Sequence, residues 1–407
     1  MNRKVPLGVT IALMIIAVSV AITISQIISV AYYNKDYTDV AALRQAYTKL
    51  NEIDDIVSEN YVNSTDPDRI ADGMAMGYIA ALDDKWGAYM TADEYKETLQ
   101  SMMGKNIGIG INIYQDIDTG YIYISYVMEN TPAASSGLQR GDLICKVNGT
   151  DVNEMGYSEA VNSIRGKSGE SVSFTVKRGE SYIDFTIVRQ EYTDISVQSK
   201  MIGNIGYIKI TDFNESTPAQ FISAVDLMKN QGAVGLIFDL RNNGGGTLAS
   251  VEKMLDYILP EGVLVSAEYK NGVKEDLFKS DANCVDLPMA VLTNGNTASA
   301  AELFSAAVRD MNKGILIGEK TYGKGVMQQT YNLSDGSAIR ITIAKFYPPS
   351  GVNFDGQGLE PNIPVTLTED ESKYFYKLEP ENDSQVKAAL DYFAGLSNNS
   401  DITNSAA

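Results

Sequence analysis

Histidine is absent from the whole chain. Without an imidazole there is no Ser/His/Asp or Cys/His catalysis, and the commonest side-chain ligand of transition metals is missing. Any hydrolytic chemistry must therefore use another base. Cysteine is nearly absent too. Cys145 and Cys284 form no CxxC pair, which excludes zinc ribbons and thioredoxin-like redox chemistry. Outside the cytoplasm the two could pair, but each sits in an apolar, strand-like context (Leu143-Ile-Cys-Lys-Val147; Asn283-Cys-Val-Asp-Leu287) and reads as a separate buried thiol. Positive charge is scarce: 33 Lys and Arg against 52 Asp and Glu give a net charge of -19. Such a chain repels phosphate backbones, so nucleic acid is not an expected partner. Proline is sparse at 11, whereas apolar residues make up 44% and charged residues 21%. A chain of 407 residues with that balance folds as two or three globular domains with only short disordered pieces.

Charge is also missing from one long stretch. Arg3 and Lys4 precede a run from Val5 to Asn34 without a charged residue, and about 20 apolar residues suffice to cross a bilayer. Ser29-Val30-Ala31 resembles a signal-peptide cleavage site, but the apolar run is longer than a signal core, which favours an uncleaved anchor. With the basic pair kept inside, everything after Lys35 is expected outside the cytoplasm, tethered by a single pass to the cell membrane.

From Asp36 to Met103 apolar residues recur at helical spacing (Leu43, Tyr47, Leu50, Ile53, Ile56, Val57), a second helix is expected over Ala71 to Leu82, and Thr91 with Glu94 reads as a capping box opening a third. From Ile107 to Arg189 the period switches to two, in segments such as Tyr121 to Val127, Leu143 to Val147, Val172 to Lys177 and Ile183 to Val188, with one helix over Met155 to Ile164. From Gly203 onward strands alternate with helices, as in an α/β core. The polar end after Gly395 is expected to fray. The boundaries that follow are 1–34 anchor, 35–104 helical region, 105–190 small β domain, 191–368 α/β core and 369–407 C-terminal helix and tail.

Four motifs stand out. Asp239-Leu-Arg-Asn-Asn-Gly-Gly-Gly246 closes a buried strand and opens a helix, where free backbone N–H groups can hold an anion. A merely tight turn needs one glycine, so three favour a functional loop, specifically an oxyanion hole. Ala298-Ser299-Ala-Ala-Glu302 puts a serine at a helix start; taken alone, an ordinary N-cap explains it. Gly318-Glu-Lys-Thr-Tyr-Gly-Lys324-Gly325 has phosphate-loop spacing, but Gly325 stands where a hydroxyl must ligate magnesium, so no nucleotide is expected. A lysine framed by glycines can instead be desolvated, the plainer alternative being a surface lysine with its stem laid along the protein. Ser250-Val-Glu-Lys253 is a rival Ser/Lys pair, but it lacks the Ser-Asp-Asn and Lys-Thr-Gly partners of penicillin-recognising enzymes and reads as two residues that happen to share a helix face. No metal or other cofactor is expected.

Together these segments resemble the C-terminal processing peptidases, or tail-specific proteases, from about Leu50 to Val365. The carrying segments are Asn60-Tyr61-Val62, Leu82-Asp83-Asp84, Gly108-Ile-Gly-Ile111, Ser136-Gly-Leu-Gln-Arg-Gly-Asp142, Ile164-Arg-Gly166, the Asp239 and Ala298 motifs, Gly318 to Gln328, and Leu333-Ser-Asp-Gly-Ser337. The resemblance implies a crotonase-like (ClpP-like) α/β core with an inserted PDZ domain. It makes Ser299 the nucleophile, Lys324 the base and Gln328 the residue that orients it. It also implies that Gly108, Ile109, Gly110 and Ile111 bind a substrate's C-terminal carboxylate while strand addition holds its tail. Thr297 and Ala301 stand where many relatives carry serine, and Gly244 where they carry proline; neither change touches Ser299 or Lys324.

A lysine base works only when neutral, so its ordinary value of about 10.4 must fall towards the working pH. Burial between core and PDZ domain is the expected cause. Gly245 and Ala300 N–H groups are the expected oxyanion donors, Glu302 a buttress of the serine helix, and Arg165 a coupler of the two domains, through which substrate binding at the PDZ domain realigns a pair that is misaligned in the substrate-free protein. The expected partners are proteins or peptides with a free C-terminus, with a second copy of the chain, met through the terminal helices, as a further candidate. The alternative from another class is a non-catalytic, membrane-tethered PDZ adaptor.

Overall fold

The computed structural model describes residues 40–405, so the anchor expected over 1–34 lies outside them. Among the described residues no helix is long and apolar enough to cross a membrane. The chain divides into two units, 1–71 and 72–407. In the first, helix Val40–Asn60 carries exposed Tyr47, Leu50, Ile53 and Ile56 at helical spacing, and the next helix opens at Pro67, its first N–H groups capped by Asp66 Oδ1.

In the second unit, Thr91 and Glu94 form the expected capping box: Thr91 N donates to Glu94 Oε2 at 2.9 Å and Glu94 N to Thr91 Oγ1 at 3.4 Å. The β domain is a sheet ordered Ile111–Gln115, Ile122–Val127, Leu143–Val147, Ser171–Arg178, Ser181–Val188. Alternation buries Ile122 and Ile124 with Val172, Phe174 and Val176. Ile111–Gln115 is an edge strand, open for another strand to add. The single helix expected over 155–164 is two, Val152–Met155 and Tyr157–Ile164, because Gly156 between them takes φ 88. Where the chain enters and leaves this domain, Lys105–Gly108 pairs antiparallel with Gln190–Thr193.

The core is built on a sheet ordered Val197–Ile202, Ile205–Ile210, Gly235–Asp239, Met289–Thr293, Gly314–Gly318, Ile363–Pro364, parallel from the second strand onward. Near-continuous apolar runs are what a sheet covered on both faces requires. Leu236 and Phe238 join the cluster under helices Thr217–Asn230, Leu248–Ile258 and Ala300–Asp310, while Ile237 between them faces Val386, Ala389 and Phe393 of the C-terminal helix. That helix runs from Ser384 to Ser405, past the Gly395 where fraying was expected; once a helix is nucleated, each added residue is nearly free energetically, and no proline stops this one. A second, antiparallel sheet contains Ala88–Met90, Gly262–Tyr269, Lys274–Ser280, Val326–Asn332 and Ala338–Tyr347. Cys145 is buried as expected, but Cys284 is exposed and both thiols are free; the polar neighbours Asp281, Asn283 and Asp286 keep the Cys284 segment a surface loop.

The C-terminal stretch clasps the β domain to the core. The Tyr376 ring stacks on Tyr114 and meets Tyr123 edge-on, at centroid distances of 5.8 and 5.3 Å, and Lys377 Nζ pairs with Asp116 Oδ2 at 2.5 Å. On the core side the Phe375 ring covers the Arg241 guanidinium at 4.9 Å, and Lys200 pairs with Glu381 at 2.8 Å.

Candidate active site

Three adjacent parallel strands, ending at Asp239, Thr293 and Gly318, deliver the three glycine-bearing segments to one edge of the core sheet. Crevices outside the carboxyl ends of such strands are where open α/β sheets bind ligands. Buried Thr297 fastens the segments together. Its hydroxyl donates to Leu240 O at 2.9 Å and its carbonyl accepts Tyr322 N–H at 3.0 Å. Asn242 Oδ1 accepts from the side-chain amides of Asn294 and Asn296, at 2.9 Å each. The first segment is anchored by Arg241, which is buried with Asp239 (2.6 Å) and Asp383 (2.7 Å) and also donates to Gln385 Oε1 at 2.9 Å. Burial alone would raise the Asp239 carboxyl, but the Arg241 guanidinium outweighs it and holds the group at about 2.

Ser299 opens the helix Ala300–Asp310 with φ 57 and ψ −119, a region that non-glycine residues occupy at a cost of about 1–3 kcal/mol. The side chain is half-buried while Ala300, Ala301 and Glu302 behind it are fully buried. Glu302 does more than buttress this helix. Its Oε2 accepts the backbone N–H of both Ser299 and Lys324 at 2.8 Å, and its Oε1 accepts Gly323 N–H at 2.7 Å and the Thr321 hydroxyl at 2.6 Å. Burial pushes the Glu302 carboxyl above the ordinary glutamate value, against the pull of these four donors.

Lys324 is half-buried at the head of the strand Val326–Asn332. Its amine lies 4.2 Å from the centre of the Trp86 ring, and among the described residues no hydrogen bond joins it to Ser299 Oγ. Burial first, and then the Arg340 charge, depress the lysine value, while Asp84 and Glu302 oppose the shift. Gln328, brought opposite Thr342 by a bulge after Met327, directs its amide to Val326 O and Thr342 Oγ1, both at 3.3 Å; among the described residues no hydrogen bond links it to Lys324. The Thr342 hydroxyl in turn donates to Asp84 Oδ1 at 2.9 Å, and Asp84 Oδ2 accepts Thr342 N–H at 2.7 Å.

Gly245 must be glycine. Its φ is +104, and an added Cβ would lie 2.9 Å from Ala298 O and 3.0 Å from both Ala300 N and Ser299 Cβ. The Gly245 N–H, expected to face an oxyanion, instead donates to Asn243 Oδ1 at 2.8 Å. Buried Asn243 also holds Ile210 O at 2.9 Å and receives Ala298 N–H on its carbonyl at 3.0 Å. The Ala300 N–H, first of its helix, has no acceptor among the described residues.

At the β domain, Gly108 ends its strand, Ile109 is buried in the domain core, and Gly110 packs so tightly under Thr131 that a Cβ would fall 2.3 Å from it. These residues, with Ile111, Ile164 and Arg165, line a cavity of about 810 Å³. A further cavity of about 450 Å³ follows Ile111 to Tyr114 towards Arg241 and Asn242. Arg165 itself is exposed and forms no ion pair among the described residues; the charged contacts from this domain to the C-terminal stretch run through Asp116, Asp118 and Arg140 to Lys377, Lys373 and Glu379. The rival Ser250 is buried, its hydroxyl donating to Asn214 O at 2.6 Å and paired with Thr247, so it is a helix-start hydroxyl. Trp86, Asp84, Thr342 and Arg241 were missed as site residues; for Trp86 the signal available was its being the sole tryptophan.

Comparison with known proteins shows the family of the chain. The peptidase family S41 model matches residues 204–365, and the carboxy-terminal processing protease CtpA of Bacillus subtilis (strain 168) is 35% identical over 324 residues, covering 79% of this chain and 69% of that protein. The chain belongs to peptidase family S41. The PDZ domain model matches residues 98–177, so this S41 chain carries a PDZ domain in the β module described above. The "Probable CtpA-like serine protease" of Staphylococcus aureus (strain N315) is 31% identical over 362 residues, 88% of this chain and 71% of that one. The crystal structure of an S41 protease from Bacteroides fragilis NCTC 9343 aligns with a TM-score of 0.58 at 20% identity over 83% of this chain and 92% of that one, a likeness of fold. This S41 chain is thus a serine-type protease of the carboxy-terminal processing family.

Proposed function

We propose that the chain is an endopeptidase that cuts proteins recognised by their C-terminal tails, using Ser299 as nucleophile and Lys324 as base. The observation that carries this reading is the shared acceptor: one oxygen of Glu302 receives the main-chain N–H of both residues. Two segments far apart in sequence are thereby pinned within reach of one another, and a lysine whose proton affinity is already depressed stands at the end of one of them.

In the reaction, neutral Lys324 Nζ takes the Ser299 Oγ proton as Oγ attacks the scissile carbonyl. Ala300 N–H, and Gly245 N–H once it leaves Asn243, hold the oxyanion. The C–N bond then breaks, the lysine proton passes to the departing amine, and water, deprotonated in its turn by Lys324, hydrolyses the acyl ester. Gln328 aims the amine after its amide turns from Thr342. The substrate tail adds as a strand along Ile111–Gln115, its carboxylate at Gly108 to Ile111, and Arg165 relays its arrival. The core is of the crotonase-like, ClpP-like type. The charge-free run from Val5 to Asn34 anchors the enzyme in the cell membrane with its catalytic part outside the cytoplasm. The exposed apolar stripe of helix Val40–Asn60 supports a homodimer.

Cleavage of a tail-bearing peptide tests the reading. Wild-type protein cuts it; Ser299→Ala and Lys324→Ala each lose at least about 10³-fold in kcat/KM. Full activity in Ser299→Ala refutes it, and binding without cleavage by the wild type supports the adaptor instead.

A further inference from the structure

Trp86 is the sole tryptophan of the chain and sits on the turn leading into the strand Ala88–Met90. Its ring is aimed from two sides. Asp84 locks the turn by accepting Trp86 N–H at 3.0 Å and Thr342 N–H at 2.7 Å. Tyr322 packs edge-on at a centroid distance of 5.9 Å, its hydroxyl accepting from Lys85 Nζ at 2.8 Å. The Lys324 amine lies 4.2 Å from the ring centre and has no hydrogen bond or ion pair among the described residues.

We infer, building on the Ser299/Lys324 reading, that Trp86 is a positioning residue that parks the Lys324 ammonium on its indole, off Ser299, until the amine loses its proton. The negative face of an indole attracts the ammonium and gains little from the neutral amine. The same contact therefore opposes both deprotonation and the swing towards Ser299, and it releases the amine in the form the reaction needs. The charged groups acting on that amine are Arg340 from the facing strand, Asp84 from the turn and Glu302 from the serine helix; Arg340 and burial favour loss of the proton, Asp84 and Glu302 resist it. Two other titratable groups adjoin the ring: Lys85, whose Nζ lies 4.8 Å from its centre, and Tyr322.

The lone tryptophan makes the latch visible without turnover. In Ser299→Ala protein, which cannot digest itself, Trp86 emission is expected to titrate with a midpoint below the ordinary lysine value. The titration is expected to survive Lys85→Met and to vanish in Ser299→Ala/Lys324→Met, which retains Tyr322. In the active enzyme, Trp86→Leu is expected to shift the ascending limb of kcat/KM down by roughly half to one pH unit, raising cleavage below the limb about three- to tenfold, with Trp86→Phe shifting it less. Emission that titrates identically with and without Lys324 overturns the inference, as does a folded Trp86→Leu protein whose limb stays in place. If Trp86→Leu fails to fold, the emission experiment decides alone, since it uses native Trp86. Because that signal needs no catalysis, it stays readable even if Ser299→Ala proves active and the dyad reading falls.

Discussion

The main chains of Ser299 and Lys324 meet on a single oxygen, Oε2 of Glu302, at 2.8 Å each. A carboxylate is suited to this because it accepts on both oxygens at once, and Oε1 is filled by Gly323 N–H and Thr321 Oγ1. Glu302→Gln keeps one acceptor oxygen and turns the other into a donor facing donors. Its expected cost is about 2–3 kcal/mol in stability and on the order of 10² in kcat/KM, since a displacement of about 1 Å is enough for that. Urea unfolding and steady-state kinetics on one preparation check both numbers.

The depressed Lys324 value has a definite sign in kinetics. The neutral fraction grows with pH, so kcat/KM rises through an ascending limb that lies below the ordinary lysine range, because burial and Arg340 disfavour the ammonium. Lys324→Arg cannot supply a neutral base and is expected to be inactive. Lys324→Ala is expected to regain part of its rate with a small primary amine, in proportion to the neutral amine added; a pH–rate series with and without the amine reads this directly.

Strain at Ser299 separates two inactive variants. Ser299→Ala keeps a side chain at φ 57 and ψ −119, whereas Ser299→Gly relaxes it, offset by the greater freedom of glycine in the unfolded chain. Ser299→Gly is expected to be the more stable of the two by about 1 kcal/mol, measured as the difference in urea midpoint at equal m-value.

Arg241 is the anchor whose loss is expected to do most damage away from the reacting atoms. Arg241→Ala strands Asp239 and Asp383 without their buried counter-charge, at an expected cost of about 3–5 kcal/mol. It also uncovers Phe375 of the clasp. Thermal unfolding and proteolysis between the PDZ domain and the core check the two consequences.

Much of this was legible in the chain itself, for physical reasons. The alternation of Tyr121 to Val127 and the apolar run of Gly235 to Leu240 each report which faces are covered, and the strands fall there. The three glycines 244–246 point to a functional loop and the glycines framing Lys324 to a desolvated amine, and both segments lie at the candidate site, with Gly245 and Gly323 each close against another stretch of backbone. What could not be read was pairing across long sequence distance. Nothing local says that Asp84 will hold Thr342, that Trp86 will face Lys324, or that Tyr376 will dock on Tyr114. The hairpin Gly262–Tyr269 with Lys274–Ser280 gives a weak apolar signal because its second strand, Lys-Glu-Asp-Leu-Phe-Lys-Ser, is largely exposed and charged. The exposure of Cys284 is masked in the sequence by its apolar neighbours Val285 and Leu287, and the engagement of Gly245 N–H with Asn243 depends on a side-chain orientation that spacing does not encode.

The most direct measurement of the central claim is mass mapping of the serine that a fluorophosphonate modifies, in wild type and in Lys324→Met. Ser299 is expected to carry the adduct in the wild type and to remain unmodified once the amine is gone. Modification of another serine, or undiminished labelling of Ser299 without Lys324, contradicts the account.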